Sequence, residues 1–111
     1  MSIKLERLEN EFLVEISKII KSEVKDRNID FVTITDVHIT KDLSFAKVYV
    51  TVLDESKKEL IVKTLNKASN FIERELCKRI DVRKMPDLSF VYDESIEYGN
   101  KIESIIDNIN K

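Results

Sequence analysis

The stretch SKKELIVKTLNKASNFIERELCKRI, Ser56–Ile80, decides the fold, because it reads as two helices joined without a loop. Ser56-Lys57-Lys58-Glu59 has the form of a capping box, in which a Ser hydroxyl and a Glu carboxylate reciprocally satisfy orphan amides at a helix start. From there Leu60, Ile61, Thr64, Leu65 and Ala68 form a buried stripe at helical spacing, and Ile72, Leu76 and Ile80 extend it into a second helical stretch. Between them lies Asn66-Lys67-Ala68-Ser69-Asn70-Phe71. Helical periodicity nearly runs through this junction, so it is a kink and not a loop. Asn70 is the residue best able, after glycine, to adopt a left-handed backbone. Together with Glu73 it also imitates a capping box for the second helix of the pair.

Working outward, Pro86 ends the helix pair from outside, and Asp87-Leu88-Ser89-Phe90-Val91-Tyr92 alternates as a strand. Asp93 is placed to cap a C-terminal helix with Ile102, Ile105, Ile106 and Ile109 on one side. On the N-terminal side of the pair, Ala46, Val48, Val50 and Val52 share one face of a strand, with Phe45, Lys47, Tyr49 and Thr51 on the other. The valine face is the core candidate. Lys41-Asp42-Leu43-Ser44 makes the preceding turn. Before it, Phe31–Thr35 and Val37–Thr40 are β-branched and alternate, but apolar parity changes between Ile34 and Val37; a bulge near Thr35-Asp36 reconciles the halves. Leu5, Leu8, Phe12, Ile16 and Ile19, widened by Leu13, Ile20 and Val24, predict an opening amphipathic helix. Ser2 is its candidate cap, and Lys25-Asp26-Arg27-Asn28 its stop.

The predicted order is helix, strand, strand, helix, kink, helix, strand, with an extra C-terminal helix. This is an α+β fold with a three-stranded mixed sheet, in one domain over residues 1–111. Two adjacent strands are expected to be antiparallel, and a right-handed crossover through the helix pair is expected to set the last strand parallel to the first.

Gly99 is the only glycine, so no phosphate-cradling GxxxxGK[ST] or GxGxxG loop can be written from the chain. The GxxG clamp by which most K-homology domains grip RNA backbone is missing too, although the element order is that of such a domain. His38 is the single histidine and Cys77 the single cysteine. Nothing local activates either group, and together they fall short of a structural zinc set. His38 is expected at the sheet surface or edge and Cys77 as a packing residue on a helix flank. The carboxylates are spaced as solvated helix faces, so neither catalysis, metal nor cofactor is expected. One cysteine suits a reducing cytoplasm; residues 1–6 lack a signal-peptide layout, and no apolar run approaches the ~20 residues of a membrane span.

The charge is unevenly distributed. Residues 56–86 carry nine basic and four acidic side chains, net +5, within a chain of net charge −2. Lys57, Lys58, Lys63, Lys67, Arg74, Lys78, Arg79, Arg83 and Lys84 are therefore the candidate RNA-binding set. Lys63, Lys67, Arg74 and Lys78 fall at helical spacings on either side of the kink. A ridge of this kind neutralises phosphates without reading bases. Phe45 and Tyr49, with Lys47 between them, suit either of two roles: stacking unpaired bases, or packing under the C-terminal helix. The second is favoured, because Ile102, Ile105 and Ile106 need apolar surface to cover.

Four segments in order resemble the ribosome-binding factor A family over nearly all of the chain. They are Val32-Thr33-Ile34-Thr35-Asp36-Val37, Lys41–Val50, Pro86-Asp87-Leu88-Ser89-Phe90 and Asp93-Glu94-Ser95-Ile96. The resemblance implies a type II K-homology fold in which an Ala-x-Gly kink replaces GxxG; here Ala68-Ser69-Asn70 keeps the Ala and puts Asn at the glycine position. It also implies a cytoplasmic, non-catalytic assembly factor. Such a factor binds free small (30S) ribosomal subunits and assists late maturation and 5′-end processing of 16S rRNA, notably in the cold. No small-molecule substrate and no membrane partner are implied, and the isolated chain is expected to be a monomer. The competing expectation is a protein-interaction module that dimerises through a sheet edge or the isoleucine-rich C-terminal helix.

Overall fold

The computed structural model describes residues 3–24 and 32–95. Helix α1 runs Ile3–Ser22, strand β1 Val32–Ile39, strand β2 Phe45–Val52, helix α2 Lys58–Lys67, helix α3 Ser69–Cys77 and strand β3 Asp87–Tyr92. The candidate cap Ser2, the stop Lys25–Asn28, Phe31, and the expected C-terminal helix with Gly99 lie outside the described residues.

The sheet order is β1-β2-β3, with β1 antiparallel to β2 and β2 parallel to β3. The expectation that the last strand parallels the first is thereby corrected. The helix pair leaves the end of β2 and returns alongside it, so the crossover makes β3 parallel to β2, and β1 is the antiparallel outer strand. The parity change in β1 is a bulge. Ile34 pairs with Val50 and Asp36 with Tyr49, leaving Thr35 as the extra residue. That residue keeps Ile34, Val37 and Ile39 all on the buried face.

Against the buried face of Ala46, Val48 and Val50 lie Phe12, Ile16 and Ile19 of α1, Ile61 and Leu65 of α2, and Ile72 and Leu76 of α3. The valine face is thus the core, as its alternation predicts. Leu60 departs from the predicted stripe: it is 47% exposed, because Ile61 and Leu65 already point α2 at the sheet. The start of α2 also differs from the predicted Ser56–Glu59 box. The Asp54 carboxylate accepts hydrogen bonds from the Ser56 amide (3.1 Å) and hydroxyl (2.6 Å) and caps a 3-10 turn over Glu55–Lys57. Ser56 is therefore consumed as a donor, and α2 begins at Lys58 with no side-chain cap of its own. The two Ser56 hydrogen bonds hold the Asp54 carboxyl below its ordinary pKa.

At the other hairpin end, the Thr40 hydroxyl accepts from the Ser44 and Phe45 amides, and Leu43 turns the chain with φ of 60°. Leu43 is the one non-glycine residue with positive φ among the described residues.

Leu65 is fully buried at the centre of this packing. Leu65→Ala is expected to lower unfolding free energy by about 2–5 kcal/mol, and Leu60→Ala by less than about 1 kcal/mol, in denaturant titrations. Equal losses at the two positions would contradict the assigned face of α2.

Candidate nucleic-acid interface

The kink sits at Ala68, whose φ of −89° and ψ of 2° fall in the bridge region open to ordinary residues. Its amide is shared between the Thr64 and Leu65 carbonyls at 3.1 and 3.0 Å, and its own carbonyl accepts from Ile72 at 2.9 Å. The hydrogen-bond ladder thus crosses the junction with one bend and no left-handed residue. Asn70 is correspondingly the second residue of α3, without positive φ, and α3 has no side-chain cap. This overturns both roles expected of Asn70: the bend is made two residues earlier, at Ala68, where φ stays negative, so neither a left-handed backbone nor a cap is needed.

Glu73, the expected partner of Asn70 in the cap, turns to the sheet instead. Its carboxylate lies 3.4 Å from the Leu88 amide of β3. Asn66, two residues before the kink at Ala68, makes the stronger connection. Its Oδ1 accepts from the Phe90 amide at 2.8 Å and its Nδ2 donates to the Phe90 carbonyl at 3.0 Å. The helix pair is thereby fastened by side chains to the outer edge of β3. Partial burial, then the neighbouring Asp87 charge, push the Glu73 carboxyl above its ordinary pKa, against the opposing effect of the Leu88 hydrogen bond.

Beside this fastening, α2 and the end of β3 enclose an open groove of about 740 Å³. Val62, Val91 and Tyr92 give it apolar walls, while Lys58, Lys63 and Lys67 line it with positive charge against Glu59 and Glu94. The Lys58 ammonium stands 4.9 Å from the centre of the Tyr92 ring, within cation–π range. Lys63 and Lys67 are exposed and form no ion pair within 4.0 Å among the described residues.

The structure separates the remaining candidates from that groove. Lys78, Arg79 and Arg83 line a second concavity after α3, together with Cys77. Lys78 is paired with Glu75 at 2.8 Å, and Arg79 reaches Glu15 of α1 at 3.6 Å. Arg74 is exposed in the last turn of α3 and lines neither hollow. Lys57 ends the 3-10 turn, and Lys84 donates to the Ser44 hydroxyl at 3.2 Å. Cys77 is exposed, which corrects its expected packing role: Ile72 and Leu76 take the buried side of α3.

On the sheet face opposite the core, Phe45 is 62% exposed and Tyr49 meets His38 edge-on with ring centres 5.5 Å apart. His38 lies on the outer strand β1, as expected of a surface or edge residue, with Nε2 3.0 Å from the Asp36 carboxylate. The helix expected to cover Phe45 and Tyr49 falls outside the described residues. Asp93 does take the expected capping geometry, accepting from the Ser95 amide and hydroxyl. No helix among the described residues is long and apolar enough to cross a membrane.

Of these features, Asn66 was the one missed in the sequence. Its pairing with Phe90 joins residues 24 positions apart, and the only local sign is a poor helix former inside a helical pattern.

A helix before the sheet, a β2-helix-kink-helix-β3 crossover and a mixed order define a K-homology-like α+β domain lacking the GxxG clamp. The chain belongs to the ribosome-binding factor A family: the family profile described as Ribosome-binding factor A matches residues 4–106. A protein of that name from Macrococcus caseolyticus is 48% identical over 100% of this chain and 98% of its own length. Another, from Staphylococcus epidermidis, is 49% identical over 99% and 96%. The crystal structure of ribosome-binding factor A from Thermus thermophilus superposes with a TM-score of 0.74 at 25% identity, covering 79% of this chain and 94% of that one. A homology model of the Thermus thermophilus factor, fitted into a cryo-EM map of a 30S complex, has a TM-score of 0.63 at 23% identity over 86% and 97%. That last likeness bears on fold alone.

The Glu73 shift generates a pH prediction. With its folded pKa raised, the folded state binds more protons than the unfolded one, so this group lowers stability as pH rises through its folded pKa. Glu73→Gln is expected to melt higher than wild type near pH 7, with the gap closing as pH falls to about 4, the ordinary range of Glu. A gap that does not shrink toward pH 4 would contradict the assigned shift.

Proposed function

We propose that this protein is a non-catalytic ribosome assembly factor that binds free small ribosomal subunits in the cytoplasm and assists late maturation and 5′-end processing of 16S rRNA. The observation that carries this reading is full-length membership of the ribosome-binding factor A family, at 48% identity to a relative of that name. The shared name of relatives at 48% and 49% identity, ribosome-binding factor A, supports the ribosome as the partner, and the small subunit is the proposed binding form. The isolated domain acts as a monomer, without cofactor or small-molecule substrate, and cold adaptation belongs to the same proposal.

The lysine-lined groove supports RNA as the contacted component. Lys63 and Lys67 stand four residues apart on one helix, the spacing at which side chains share a face, beside apolar walls that accommodate bases without selecting them. Lys78, Arg79 and Arg83 supply a second positive patch, and Lys57, Lys58, Arg74 and Lys84 add to the field around both. A dimerisation module working through strand addition is the weaker reading, because four amides of the outer strands, Val37 and Ile39 on β1 and Leu88 and Phe90 on β3, already have side-chain acceptors.

Co-sedimentation with free small subunits over a salt series tests the proposal. Wild type is expected to bind free small subunits in preference to joined ribosomes. Lys63→Gln with Lys67→Gln is expected to weaken binding and flatten the log–log salt dependence by roughly 0.7–0.9 for each phosphate no longer neutralised. An unchanged slope in this pair, with a reduced slope for Arg79→Gln and Arg83→Gln, would move the interface to the second patch. No binding to free subunits at low salt would overturn the reading.

A further inference from the structure

In β3, the Asp87 and Asp93 amides donate to Ser44 and Val50 on the β2 side. Strand alternation therefore turns the amides of Leu88 and Phe90 outward, along the α2 side of the strand. An outward N–H beside an outward C=O on one residue is a donor–acceptor pair of the kind that reads a nucleobase edge. Single-stranded RNA offers the matching groups: adenine and cytosine present an amino donor beside a ring acceptor, and guanine and uracil present the reverse order. An asparagine carboxamide also presents one donor beside one acceptor, which is why it pairs with adenine edges in nucleic-acid complexes. At Phe90 that place is already filled, by Asn66 at 2.8 and 3.0 Å.

We propose that Asn66 makes the α2–β3 groove indifferent to base identity by occupying the Phe90 donor–acceptor pair as an internal substitute for a nucleobase. The inference rests on reading the groove as an RNA site and adds what sets its specificity. A base entering the groove competes with a group tethered on the neighbouring helix, whose effective concentration far exceeds that of a free ligand. Displacing Asn66 also forfeits two hydrogen bonds that hold the helix pair on β3. RNA is consequently held through phosphates at Lys63 and Lys67 and through sequence-tolerant contact with Tyr92, while the Phe90 pair stays closed.

The test uses the full chain and fluorescent octamers of A, C and U, with anisotropy read at low salt. Wild type is expected to bind all three within about threefold, the spread that stacking differences allow. Asn66→Ala exposes the Phe90 pair and is expected to change the A:U and C:U affinity ratios by at least fivefold from their wild-type values. A good bidentate pair is worth about 1–3 kcal/mol of discrimination, which corresponds to roughly 5- to 150-fold. Wild-type discrimination beyond tenfold, or ratios unchanged in the folded variant, would overturn the role of Asn66 while leaving RNA binding intact. Failure of wild type to bind any octamer would instead remove the RNA reading of the groove, and this inference with it. If Asn66→Ala does not fold, wild-type NMR decides. On saturation with each octamer the Asn66 carboxamide and Phe90 amide signals are expected to stay in place while those of Lys63 and Lys67 move. Loss of the Asn66–Phe90 bond on binding would contradict the proposal.

Discussion

A three-stranded sheet has two outer strands, each with backbone amides that no neighbouring strand can accept. In this chain, side chains accept four of them. On β3, Asn66 takes both polar groups of Phe90 and Glu73 takes the Leu88 amide; on β1, Glu9 of α1 accepts from Ile39 at 2.8 Å and Asp36 from Val37 at 2.9 Å. An unmade buried hydrogen bond costs far more than a made one contributes, so these contacts constrain where the helices can sit. They hold α1 beside one edge and the α2–α3 pair beside the other, with the apolar stripes of all three directed at the valine face. They also blunt the edges as templates for strand addition.

The same constraint shapes the groove. Fastening Asn66 to β3 sets the face of α2 that carries Lys63 and Lys67 beside Val91 and Tyr92. The kink at Ala68 then carries α3 onward, so that Lys78, Arg79 and Arg83 belong to a different hollow. The positive segment of residues 56–86 therefore becomes two patches, separated by the bend between the helices. Within the second patch, Glu75 draws on Lys78 most, then on Arg79 and Arg74, and is held below its ordinary pKa. Local carboxylates there offset part of the positive field. Lys63 and Lys67, although Glu59 and Glu94 share their groove, form no ion pair within 4.0 Å among the described residues, which makes the groove the better-placed surface for phosphate contact.

The fold was legible wherever a periodic pattern reported which face is buried. The alternation of Ala46–Val52 and the parity change at Thr35 appear in the structure as read, and so does the helical stripe through Ile61, Leu65, Ile72 and Leu76, with Leu60 the member that turns out to be exposed. Legibility ended where a residue answers to a tertiary partner. The Ser56–Glu59 pattern has the form of a capping box, yet Asp54 lies two residues upstream and captures Ser56 first. Asn70 suits a left-handed bend in isolation, but Ala68 bends the chain within allowed space and the ladder continues. The ridge of Lys63, Lys67, Arg74 and Lys78 was read from charge and helical spacing, neither of which carries the direction of the bend at Ala68, so its division into groove and second patch was not visible. Asn66 had no periodic or compositional signal because its function depends on a strand that follows 24 residues later.

Amide hydrogen exchange in the free protein tests the central claim most directly, because outward amides on an outer strand are otherwise open to water. If side chains close the sheet, the amides of Ile39, Leu88 and Phe90 exchange far more slowly than exposed amides, and Asn66→Ala accelerates Phe90 well before the protein unfolds globally. Rapid exchange of Phe90 in the wild-type protein, or protection indifferent to Asn66, would contradict the account.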